Sequence, residues 1–256
     1  MMRVDEGIAS ITFNRPQVLN ALDIPMIEEL VRNLQACAEE PSVSVVLLTG
    51  TGRGFCVGGD MKAAWEHIQA GGDPQAFFRT LLDHIHRAVM ELRSMERPVI
   101  AAINGVVAGA GMSLAAACDL RIAAEGARFK QSFTSIGLVP LGGWTVTVAH
   151  FLGPSKAAEL MMMDPVLEAR QALDLGLVSE VVANGRLIER VMELTGQIAH
   201  RPKTAFASAK VLTSAALLPR LKEQMALERE RFIYQAGTPD FLEGLTAFIE
   251  KREANF

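Results

Sequence analysis

The sequence predicts an α/β fold, on three features. Apolar, β-branched runs such as VSVVLLTG (residues 43–50) and VIAAI (99–103) have the composition of strands covered on both faces, as in parallel sheets. A helical period follows the first strand, so the order opens strand, helix, strand. Both buried runs pass into glycine-rich segments, GTGRGFCVGGD and NGVVAGAG, at the strand ends where α/β proteins build their sites.

Taken in order, GIASITFNRP alternates apolar and polar residues up to a proline and predicts a half-buried strand closed by a turn. The next helix runs from Pro25 to about Glu39, with Met26, Ile27, Leu30, Val31 and Leu34 at helical spacing and proline in the first turn, where no N–H is needed. After the strand at 43–50, TGRGFCVGGDMK reads as a loop. Residues 73–98 read as a long amphipathic helix whose acidic start and basic end suit the helix dipole. VIAAI is the next strand, and GMSLAAAC is a tightly packed helix because nearly all its side chains are small. DLRIAAEGARFK predicts two short strands about a turn at Glu125 and Gly126. Beyond Gly137 helices dominate, broken by LGP, MDP and the strand-like GLVSEVV. From Arg186 onward RLIERVMELTGQIAH, KTAFASAKVLTSAA, PRLKEQMALERERFIYQ and PDFLEGLTAFIEKRE are amphipathic helices, so the chain divides into residues 1–185 and a helical layer, 186–256. The apolar faces of that layer suit either an oligomer contact or packing on the same domain.

At 256 residues with half of them hydrophobic, the chain supports a substantial core. Its formal charge of −4 and scattered basic residues leave no electrostatic footprint for nucleic acid or an anionic membrane surface. No apolar run reaches the roughly 18 to 20 residues of a membrane span, and MMRVDEGIAS has no secretory pattern, so a cytoplasmic protein is expected. Cys37, Cys56 and Cys118 lack metal-ligand spacing and read as reduced, packed thiols; no metal site is expected. Neither glycine-rich segment is a dinucleotide fingerprint or a P-loop.

Glycine and alanine let a backbone approach a ligand closely, and an amide at a helix start carries the positive end of the helix dipole. One amide from each segment would grip a single oxygen atom; the alternative, that these glycines only make turns and close helix packing, stays open on spacing alone. In order and spacing, FNRPQVLNAL, GRGFCVGGDMK, RPVIAAINGVVAGAGMSLAAACDLRIA, ARFKQSFTSIGLVP and ALDLGLVSEVV resemble the crotonase (enoyl-CoA hydratase/isomerase) superfamily over nearly the whole chain. The resemblance implies a spiral of ββα turns with an acyl-CoA site in residues 1–185 and a C-terminal helical trimerisation region in 186–256, assembled as a homotrimer or hexamer. It implies acyl-coenzyme A thioester substrates, coenzyme A entering only as part of the substrate, and an enolate held by two backbone N–H groups. By position those donors fall on Gly59 and Ala110. Asp60, Met61 and Lys62 match the segment lying along the pantetheine and adenine, and Cys56, Gly58 and Gly109 complete the two binding loops.

The positions where members carry acid or base carboxylates are Ser113, Phe133 and Leu141 here. Losing such a base costs roughly two to four orders of magnitude in rate, so ordinary hydration is not expected, and a greasier pocket suits an apolar or cyclic acyl group. His86 matches in spacing a histidine of the similar aroyl-CoA dehalogenases and is the candidate base, against the bland reading of a helix-surface histidine. His84 is a weaker candidate. Asp60 is read as an anchor of its own loop, and Glu66 or His67 reach the site only if their helix folds over it. Three functions follow: an enoyl-CoA isomerase- or hydratase-type enzyme, a malonyl-type acyl-CoA decarboxylase, and a non-catalytic acyl-CoA-binding or assembly subunit.

Overall fold

In the computed structural model, which describes residues 1–256, the chain opens on a hairpin of β1 (Met2–Asp5) and β2 (Ile8–Phe13) and then enters α1 (Ile24–Glu39). Three windings follow in which a strand of a large sheet, a strand of a small sheet and helix succeed one another. The first is β3 (Val45–Gly50), β4 (Gly54–Cys56), α2 (Met61–Gln69) and α3 (Pro74–Ser94). The second is β5 (Val99–Ile103), β6 (Val106–Ala108) and α4 (Ala110–Ala117). The third is β7 (Leu120–Ala124), β8 (Arg128–Lys130), α5 (Trp144–Leu152) and α6 (Pro154–Met163). Then come β9 (Leu167–Glu168), α7 (Ala169–Asp174), β10 (Glu180–Val182), α8 (Leu187–Ala199), α9 (Lys203–Ala215), α10 (Leu218–Ala236) and α11 (Pro239–Glu250).

The large sheet has the order β1-β2-β3-β5-β7-β10 and the small one β4-β6-β8-β9. Only the end pairs β1·β2 and β8·β9 are antiparallel. Alternation along the buried strands divides the core as the pleat requires. Val46, Leu48, Val99, Ala101 and Ile103 point into the main core, whereas Val45, Leu47, Ile100 and Ala102 point to the opposite face, where Leu187 and Val191 of α8 cover them. Helix α8 therefore packs as part of the sandwich around the large sheet. Helices α10 and α11 close the other side, with Phe78 of α3 packed on Phe232 (ring centroids 5.2 Å apart) and Phe241 (5.5 Å).

Residues 51–62, expected as a loop, hold β4 and the start of α2, and NGVVAGAG holds β6. Three-residue strands of glycine and mixed side chains are too short to display a period of two. The two strands of DLRIAAEGARFK exist, but β7 pairs in the large sheet and β8 in the small one. In GLVSEVV only Glu180–Val182 is strand. No helix is long and apolar enough to cross a membrane.

One buried cation ties the C-terminal helices to the windings. Lys210 of α9 donates to the carbonyls of Leu92 (3.0 Å) and Arg97 (2.8 Å) and stands 2.7 Å from Asp119, so it satisfies the end of α3. Burial pulls its ammonium below the usual lysine range, and Asp119 opposes that shift. Lys210→Met leaves these carbonyls without their donor and Asp119, which still accepts from the Val99 N–H, without this counter-ion, and is expected to cost about 3 kcal/mol of unfolding free energy in urea titrations. A loss below about 0.5 kcal/mol would show the contact to be idle.

Candidate functional site

The two glycine-rich segments meet. Gly58 has φ +84° and Gly109 φ +51°, a left-handed geometry that glycine tolerates, and a Cβ on Gly58 would stand 2.8 Å from the Ala110 nitrogen. A Cβ on Gly111 would lie 2.0 Å from the Cys56 carbonyl oxygen, so α4 packs its first turn directly on the backbone of β4. Leu22 clamps the first segment: its N–H donates to the Gly58 carbonyl (2.7 Å) and its carbonyl accepts from the Asp60 N–H (3.1 Å). In this extended stretch the intervening Gly59 N–H turns the other way, and no group of the chain accepts from it. Ala110 is the first residue of α4, where no carbonyl four residues back awaits its amide, and Gly109 offers no capping side chain.

Gly59 and Ala110 both line one cavity of about 840 Å³. Its walls are apolar: Phe78, Leu81, Leu82 and Ile85 from α3, Phe133, Ile136, Leu138 and Leu141 from the segment after β8, Phe232 from α10 and Phe248 from α11. Four cations, Arg53, Lys62, Lys130 and Lys251, also line it, whereas Asp60 is its one carboxylate. The Lys62 side chain is 75% exposed, 3.8 Å from Glu66, and Lys130 stands 3.5 Å from Asp164. Of the predicted binding residues, Asp60, Met61, Lys62, Gly109, Phe133 and Leu141 line this space. Phe232 of α10, Phe248 of α11 and Lys251 at the end of α11 join them. Nothing in the local sequence of α10 and α11 distinguishes these three from core or surface positions.

Other candidate residues lie outside the lining. Cys56 and Gly58 lie behind the lining; burial pushes the Cys56 thiol up to about 12, which keeps it protonated, and Gly58 serves the approach of the two loops. Ser113 is not part of the lining and donates its hydroxyl to the Leu141 carbonyl at 2.7 Å, tying α4 to the turn that bears Leu141. His86 does not line the cavity either. Consecutive helix positions diverge by about 100°, so Ile85 faces the cavity while His86 sits nearer the charges of Asp83 and Arg229. His84 is held 3.3 Å from Glu28 of α1, and Glu66 and His67 are absent from the lining.

The His86 Nε2 is buried without a partner. Burial lowers its pKa from 6.5 to about 4, with Asp83 opposing and Arg229 assisting. The unfolded chain binds this proton below pH 6.5 and the folded chain only below about 4, so the His86 contribution makes stability rise with pH across that window. His86→Leu is expected to flatten this part of the Tm-against-pH curve; an unaltered slope between pH 4 and 6.5 would show that the imidazole is not held neutral.

Sequence reasoning passed over Glu228 of α10, whose carboxylate accepts from the N–H groups of Gly143 (2.6 Å) and Thr145 (2.9 Å) and from the Thr145 hydroxyl. Burial raises its pKa and these donors oppose the rise; the anion sits at the positive start of α5, just after Leu141. It also gave no role to Arg15 and Asn20 within FNRPQVLNAL. Arg15 donates to the Ala21 carbonyl (2.7 Å) and to Asp60 (3.0 Å), and lies 3.3 Å from Asp23. Fully buried Asn20 donates to the carbonyls of Thr51 (3.0 Å) and Gly54 (2.7 Å) and accepts from the Arg15 N–H (2.8 Å). Asp60 in turn caps α2 through the Ala63 N–H, the loop-anchoring role read from sequence.

A two-sheet spiral of ββα windings, with a cavity where the two glycine loops meet, defines the crotonase class of fold. Residues 3–256 match the enoyl-CoA hydratase/isomerase family, and the chain belongs to it. It is 32% identical over 262 residues to a crotonyl-CoA hydratase of Syntrophomonas wolfei, covering 100% of this chain and 96% of that protein. It is 31% identical to the 1,2-epoxyphenylacetyl-CoA isomerase of Escherichia coli, covering 100% and 97%. The crystal structure of an enoyl-CoA hydratase from Mycobacterium avium subsp. paratuberculosis superposes with a TM-score of 0.90 at 32% identity, covering 100% of this chain and 97% of that one. Relatives named hydratase and isomerase both occur at this similarity, so they lend no support to the expectation against hydration.

Proposed function

We propose that this enzyme polarises the carbonyl of an acyl-CoA thioester between the N–H groups of Gly59 and Ala110 and carries out hydration or isomerisation of an enoyl-CoA through the resulting enolate. The observation that carries the reading is the convergence of the two loops: two helix- and turn-borne amides without acceptors in the chain border one cavity. Donors already aimed at developing charge in a water-poor site are worth about 3 to 4 kcal/mol each. Coenzyme A brings its own phosphates, and Lys62, Arg53, Lys130 and Lys251 supply the countercharge along the cavity. The acyl group is apolar or cyclic, because Phe133 and Leu141 give the walls near Ile85 no polar atom to meet. The working assembly is a homotrimer or hexamer, supported by exposed apolar side chains on the C-terminal helices, among them Leu212 (73%) and Phe248 (56%).

The test is proton exchange in heavy water. A 3-enoyl-CoA and crotonyl-CoA are incubated with the protein, and deuterium at the acyl α- and γ-carbons is read by mass spectrometry alongside product formation. Exchange with either product supports the reading. Binding by calorimetry with neither exchange nor product would mark a non-catalytic binder, and carbon dioxide released from a malonyl-type ester would favour decarboxylation.

A further inference from the structure

Asp60 raises an electrostatic problem for the site. Its carboxylate follows Gly59 directly in the chain and lines the same cavity, with its side chain only 11% exposed. A negative group so poorly screened by water opposes the growth of a second negative charge nearby. The structure supplies a counter-ion from a distant segment, because Arg15, itself 25% exposed, reaches Asp60 at 3.0 Å. The same guanidinium holds the Ala21 carbonyl, adjacent to the Leu22 backbone that clamps Gly58 and Asp60. A planar fork presents its donors in fixed directions, so Nη1, Nη2 and Nε each meet a different partner, Ala21, Asp60 and Asp23. Asn20 fixes the Arg15 backbone and the approach to β4 together, so the fork is aimed by a fully buried group.

We propose that Arg15 is a positioning residue of the reaction: it holds the Leu22 clamp that orients the Gly59 N–H, and it neutralises Asp60 so that no uncompensated charge stands beside the thioester oxyanion. The inference rests on the enolate reading of the site. Arg15 touches no substrate atom and acts through Asp60 and the residue 21–22 backbone. Asp23, 3.3 Å from the same guanidinium, caps α1 through the Met26 N–H and shares the counter-ion. Removing the cation therefore leaves two carboxylates facing one another's field.

The experiment uses 4-(dimethylamino)cinnamoyl-CoA, whose absorption moves to longer wavelength when hydrogen bonds polarise its thioester carbonyl. Bound to the native protein it is expected to show a clear red shift. Arg15→Gln is expected to cut that shift by about half or more while the probe's Kd changes by less than roughly threefold, since the lost interaction acts on carbonyl charge rather than on coenzyme A. Arg15→Gln combined with Asp60→Asn is expected to recover most of the shift, a non-additivity that a purely structural role does not produce. A native shift in folded Arg15→Gln, or a double variant no better than the single one, overturns the proposal while the enolate reading stands. No red shift in the native protein overturns both. Should Arg15→Gln fail to fold, Asp60→Asn alone decides: with the capping acceptor kept and the charge gone, the shift is expected at or above the native value, and a fall refutes the neutralising role.

Discussion

Ala110→Pro is expected to lower turnover by roughly 100- to 1,000-fold, the usual consequence of deleting one oxyanion donor. The substitution replaces the N–H by a ring carbon at the first helical residue of α4, where proline is favoured and no helical hydrogen bond is lost. The small volume added by the ring falls beside Gly58, so affinity for coenzyme A alone and the far-ultraviolet circular dichroism are the necessary controls. With both intact, a kcat within about threefold of the native value would remove Ala110 from the catalytic machinery. A loss confined to KM would point instead to uniform substrate binding, a different role for the same residue.

Gly111→Ala is expected to be the most damaging single methyl in the chain's central helix. The new carbon would lie 2.0 Å from the Cys56 carbonyl oxygen and 2.8 Å from the carbonyl carbon, and neither backbone can move without disturbing β4 or the α4 start. Overpacking against rigid backbone costs about 3 kcal/mol, the upper end of its usual range, which for a chain of this size lowers Tm by roughly 10 °C. Any folded fraction is expected to lose turnover as well, because relief requires α4 to move away from the loop bearing Gly59. A Tm within about 2 °C of native would show that α4 and β4 are not in the close register described here.

The long elements were legible because they obey a period. Helices α1 and α3 and strands β3 and β5 carry unbroken apolar patterns, and the structure places them within a few residues of expectation. The small sheet was legible only at β8, since β4 and β6 have three residues each and lie within glycine-rich segments that show no period. The two loops were visible as glycine clusters, and their family resemblance placed Gly59 and Ala110, which line the cavity. Side-chain direction was beyond reach. Ser113 and His86 sit on the helices expected for them, yet one hydroxyl is spent on the Leu141 carbonyl and the imidazole lies outside the cavity. A spacing argument locates a residue along a helix, whereas its azimuth depends on what the helix packs against. The contribution of Phe232, Phe248 and Lys251 depends on contacts between segments more than a hundred residues apart, which no local pattern encodes.

Phe78 meets Phe232 and Phe241 across more than 150 residues of intervening chain. Without α10 and α11 the apolar walls that α3 contributes would face water as an open trough in place of a chamber, the kind of exposed surface that drives aggregation.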